Sequence, residues 1–88
     1  MARIYVARLD IPPSIEAKIR TKHDLTGDEV RAAVVFRNDV QFREDDHEVY
    51  GVRLLASATT RQGRPILAVL YAVNAEEGIY RLGTAYAK

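Results

Sequence analysis

The spacing of apolar residues changes once along this chain, near residue 39, and that change dictates most of what the chain can become. From Pro13 to Phe36 apolar side chains recur three and four residues apart, as on one face of a helix; from Val40 onward they alternate or run together, as strands require. Helices first and a meander of strands afterwards is the order of an α+β domain, with the helices packed on one face of an antiparallel sheet. With 88 residues there is length for a single domain, 1–88, and one modest core.

The sharpest boundary lies at Leu25-Thr26-Gly27-Asp28-Glu29-Val30. Thr26 is placed to cap a helix and Glu29 to reach back to it, while Leu25 and Val30 stand where a hydrophobic staple closes the turn. This predicts a helix over residues 27–36, with Val30, Ala33 and Val34 on its inner face. A first helix over 13–22 follows from Pro12-Pro13-Ser14, since proline suits the first turn, and from the pair Ile15 and Ile19 one turn apart. Lys18 and Lys22 form a basic stripe beside that narrow apolar one.

Before the helices, the alternation of 2–9 predicts an opening strand, ended by Asp10-Ile11-Pro12-Pro13. After them, 40–43 alternates and Glu44-Asp45-Asp46-His47-Glu48 reads as an acidic turn. A long strand over 49–60 then puts Tyr50, Val52, Leu54, Ala56 and Ala58 on one side and Val49, Gly51, Arg53, Leu55 and Ser57 on the other. Arg61-Gln62-Gly63-Arg64 is a hairpin connection, and the nearly continuous apolar run 65–73 belongs in the middle of a sheet. After a second turn at 74–78, residues 79–86 make a last strand, giving the order β-α-α-β-β-β. No helix follows that strand, so it is expected to leave an edge or face open to self-association in a homo-oligomer.

Chemistry is constrained by what is missing. There is no cysteine, so thiolate nucleophiles, disulfides and cysteine-based metal sites are excluded, and no glycine-rich phosphate loop or paired histidines at metal spacing occur. We expect no cofactor and no metal. No apolar run approaches membrane-spanning length, and Arg3 and Arg8 break any signal-like apolar core, so a cytoplasmic protein without a membrane partner is expected. Thirteen basic against twelve acidic residues leave a formal charge of +1, yet Arg61, Arg64 and Arg81 concentrate cations in the last third of the chain.

Arg53 stands in a strand whose other positions are mostly apolar, where a guanidinium needs a reason. Arginine suits bidentate phosphate recognition, and Arg61, Arg64 and Arg81 would join Arg53 if the hairpin tip and last strand curve to one cleft. Such a cluster suits RNA cleavage: arginines stabilise charge developing on phosphorus while a His, Glu, Lys or Tyr moves the 2′-hydroxyl proton. His47, among Asp45, Asp46 and Glu48, and the exposed pair Lys22-His23 are the remaining titratable candidates. Tyr80 and Tyr86, read as sharing a face of the last strand, would stack on bases or cover the sheet.

The succession of a short strand at 4–7, a helix running to Lys22-His23, a capped helix with Leu25-Thr26 and Glu29, and strands from Tyr50, Pro65 and Ile79 resembles the RelE/ParE-like toxins. Within them it resembles the BrnT-like ribonuclease toxins of bacterial toxin-antitoxin pairs. The resemblance implies a RelE-like fold, metal-independent endoribonuclease activity, RNA as substrate and a cognate antitoxin as partner. It implies catalytic roles for Arg53, with Arg81, Tyr86 and His47, and RNA contacts for Lys22, His23, Arg61 and Arg64. Tyr86 stands where the family carries an arginine, and the segment after it is short. A second reading therefore stays open: a non-catalytic relative that acts as a protein-interaction or self-associating module.

Overall fold

The computed structural model describes residues 4–48 and 51–88. Strand β1 (Arg8–Asp10) is followed by helices α1 (Pro13–His23) and α2 (Gly27–Val34). Four strands succeed them, β2 (Gln41–His47), β3 (Gly51–Thr59), β4 (Pro65–Asn74) and β5 (Ile79–Ala87), with a single 3-10 turn, Ala75–Glu77, before the last. The fold is α+β, with two helices and a five-stranded sheet in the order β1-β5-β4-β3-β2.

Helix α2 starts as its sequence requires. The Thr26 hydroxyl accepts from the Glu29 backbone N–H at 3.1 Å, and the Glu29 carboxylate accepts in return from the Thr26 N–H at 3.2 Å. Leu25 and Val30, the staple pair, are both buried in the core with Ala33 and Val34. Helix α2 packs against β3, whereas α1 runs along β5 and sends Ile19 into the core. The covered face of the sheet contributes Leu54, Ala56 and Ala58 from β3 and Ile66, Ala68 and Leu70 from β4. β4 is central, flanked by β3 and β5, as its continuous apolar run demands.

Five expectations are corrected. The opening strand is Arg8–Asp10; of the stretch expected, residues 4–7 are not a strand, and 2–3 lie outside the described residues. Tyr5 is instead tied sideways, its hydroxyl donating to the Glu76 carbonyl at 3.1 Å. β1 lies parallel to β5, so the sheet is mixed rather than antiparallel. The acidic stretch Glu44-Asp45-Asp46-His47 is no turn: it continues β2, each residue paired across from β3 between Leu54 and Gly51, so the sheet has one strand more than the order β-α-α-β-β-β. Helix α2 stops at Val34, and Phe36 turns to a left-handed φ of 53°, its N–H bonded to the Val6 carbonyl at 2.9 Å. Finally, β5 is not an edge strand over Ile79–Arg81, where β1 pairs with it, and α1 packs against it.

Candidate nucleic-acid interface

The alternation of the strands fixes what lies on the face of the sheet opposite α2. Where Leu54, Ala56 and Ala58 point into the core, Arg53, Leu55 and Ser57 point the other way, with Leu67, Val69 and Tyr71 beside them on β4. On β5 the register shifts at Gly83, which stands unpaired between Leu82, opposite Leu70, and Thr84, opposite Val69. Only glycine fits there, since a Cβ on residue 83 would run into the Tyr71 ring.

The shift also corrects the placing of the last-strand tyrosines. Tyr80 is buried on the covered face, while Tyr86, beyond the bulge, emerges on the open one. One extra residue inverts every later side chain. Burial pushes the Tyr80 phenol above its ordinary value, with Tyr5 and Glu44 nearby adding to the shift.

At the α1 side of the open face lies a groove of about 640 Å³, lined by Lys18 and Ser14 of α1, Arg53 of β3, Tyr71 of β4, and Arg81 and Thr84 of β5. Arg81 is the cross-strand partner of Tyr71, and its guanidinium carbon stands 6.0 Å from the ring centroid, a cation–π contact. Arg53 is held on the other side by Asp45, its direct partner on β2. Both Nε, at 3.0 Å, and Nη2 donate to the Asp45 Oδ2. This carboxylate, and then the neighbouring Tyr71 hydroxyl, raise the Arg53 guanidinium above its ordinary range, so it stays charged at any working pH. Further along the open face Arg43 and Lys88 border a second depression of about 390 Å³ with Leu55, Ser57 and Leu67. The Lys88 ammonium donates to the Ser57 hydroxyl at 2.8 Å. The face is thus an apolar strip with cations along its margins.

The other site residues fall into separate places. Tyr86 is about five strand residues, or roughly 16 Å, from Arg81. It stacks obliquely against His23, ring centroids 5.9 Å apart, and Lys22 is exposed in the same last turn of α1. Arg64 does not join Arg53: it caps α1, donating from Nη1 to the Asp24 carbonyl at 2.9 Å and from Nη2 to the His23 carbonyl at 3.3 Å. Arg61 is exposed at the hairpin tip beside Asp28 and Glu29 of α2, again away from Arg53. The backbone of His47 ends β2 opposite Gly51, and its side chain lies outside the described residues.

Two participants escape sequence reasoning. Lys18 reads as solvated helix surface and Tyr71 as packing, and only the fold carries both to Arg53. The parity of β4, with Tyr71 in phase with Val69 and Leu67, is the signal that could have placed the tyrosine.

Among the described residues no group of three or more His, Asp or Glu side chains is placed to hold a metal ion, and no helix is long and apolar enough to cross a membrane. No family model, curated protein or solved structure matches the chain.

Proposed function

We propose that this chain binds single-stranded RNA along the open face of its sheet and acts as a toxin-like endoribonuclease of the RelE/ParE type. One observation carries the reading: Lys18, Arg53 and Arg81, remote in sequence, converge on a single groove around Tyr71. Cations from three elements, with Arg53 still holding its Asp45 partner, suit a phosphodiester backbone, and the apolar strip beside them offers a surface on which bases can lie. The margin formed by His23 and Tyr86 extends the track toward Lys22.

In the proposed reaction the 2′-hydroxyl of the bound RNA attacks its own phosphorus and the 5′ oxygen of the next nucleotide leaves. Arg53 and Arg81 stabilise the charge that accumulates on the phosphoryl oxygens, and Lys18 adds a third donor. In this reading the Tyr71 hydroxyl, beside Arg53, supplies a proton to the leaving oxygen while solvent water accepts the one lost by the 2′-hydroxyl.

A second reading, binding without cleavage, has its own observation. No described imidazole or carboxylate lines the groove, and Asp45, which touches its Arg53, is engaged by that arginine. Incubation of the purified chain with a labelled single-stranded RNA separates the two readings. The enzyme reading expects fragments that Arg53→Ala and Tyr71→Phe each suppress. Intact RNA that is nevertheless bound, with affinity falling steeply as salt rises, supports the second, and absence of binding at low salt rejects both.

A further inference from the structure

The helices do not cover the whole of their face of the sheet. At the end where β3 begins and β4 finishes, Val52 is 64% exposed and Ala72 is exposed beside the buried Leu54 and Leu70. Val52 and Ala72, with Ile4, line a depression of about 230 Å³. Ile4 also lines the adjoining hollow that contains Phe36, which is 74% exposed. A phenylalanine at φ 53° is costly backbone for a bulky residue, yet the Val6 carbonyl pins it there with its ring facing water. The outcome is a continuous apolar track on the surface.

Among the described residues the charge left unpaired on its rim is of one sign, since Arg37, which lines the Phe36 hollow, is engaged by Asp39. Glu44 and Asp46 on β2 stand directly opposite Leu54 and Val52, on the same face as the track, and among the described residues neither forms an ion pair. Arg53, which also reaches this rim, is already paired with Asp45. An apolar strip beside two uncompensated carboxylates is complementary to a chain that presents leucine-like side chains on one side and cations on the flank. The track crosses strands β2 to β5, about 14 Å at the spacing of neighbouring strands, which about ten residues of helix span.

We propose that this track docks a cationic amphipathic helix from another chain, laid across the sheet as a third helix on the covered face. The apolar stripe of that helix covers Phe36, Ile4 and Val52, and its lysines or arginines meet Glu44 and Asp46. This surface lies on the opposite side of the sheet from the groove proposed to bind RNA, and the two share only Arg53 among their lining residues.

The test titrates the whole isotope-labelled chain with a synthetic leucine-lysine amphipathic peptide of about fifteen residues, long enough to hold a helix, and with its leucine-glutamate counterpart. Binding of the lysine peptide should move the backbone amides of Ile4, Val52 and Ala72. Val52→Asp should abolish those shifts, and the double change Glu44→Lys with Asp46→Lys should raise Kd at least about tenfold. All three positions are exposed, so an unchanged remainder of the spectrum certifies the fold. Three outcomes overturn the proposal: no shift with the lysine peptide, equal binding of both peptides, or the same shifts on concentrating the chain alone, which assigns the track to a second copy.

Discussion

The two faces of this sheet are made by the same strands and differ by one step in phase. On β3, Leu54, Ala56 and Ala58 face the helices and are buried, while Arg53, Leu55 and Ser57 face away. Sequence neighbours therefore say little about an arginine's surroundings in a strand: the apolar residues on either side of Arg53 lie behind the sheet, and its real companions are Asp45, Tyr71, Arg81 and Lys18. One face is built to exclude water and fixes the fold. The other is free to carry charge, and its margins do.

The largest effect that separates the faces comes from Leu70→Ala. It opens a cavity in the covered face and should cost about 2–5 kcal/mol in chemical denaturation, enough to jeopardise so small a domain. Leu67→Ala, three residues earlier and on the open face, should cost much less; equal losses would mean that the open face is packed against something in solution. Next in size is a contrast between two arginines. Arg64→Ala removes the cap of α1 and should lower stability by about 1 kcal/mol without changing RNA affinity. Arg53→Ala should do the reverse, weakening RNA binding and flattening its salt dependence by about one phosphate contact. If Arg64→Ala weakened RNA binding at unchanged stability, the hairpin would belong to the site after all.

The smallest effect is alkaline. Tyr80 is raised above its unfolded value, near 10, so below that pH both states hold the proton and the stabilisation is complete. Above it the unfolded chain loses the proton first and stability falls until the folded phenol also ionises. Thermal unfolding followed upward from about pH 9 should show this decline, and Tyr80→Phe should blunt it. A variant that declines identically would place the responsible group elsewhere.

Local signals account for most of the fold. The Thr26 and Glu29 side chains close their box within four residues, and the apolar run 65–73 can only be satisfied between two strands, so both features are legible without tertiary information. Features that depend on a distant partner are not. The acidic residues of β2 have weak strand propensity and enter the sheet because β3 offers a full ladder of partners. The left-handed turn at Phe36 answers to the Val6 carbonyl, thirty residues back. For the site, the phase of Arg53 could be read from its strand, whereas the separation of Arg64 from it could not, because the hairpin bends toward the carbonyls at the end of α1. The bulge at Gly83 has only a weak local sign: a lone glycine inside a strand suggests a slip of the ladder without fixing it, yet the slip decides which tyrosine meets solvent.

The parallel pairing of β1 with β5 has a consequence in time. Arg8–Asp10 waits for partners roughly seventy residues later, so closing this contact carries a large loop entropy and the whole topology folds late. During synthesis both helices leave the ribosome seconds before the strand that α1 rests against exists, at ordinary elongation rates of about 5–20 residues per second. The groove walled by Lys18 on one side and Arg81 on the other cannot assemble until β5 is in place, so any chain cut short before β5 would keep both helices and lack the groove.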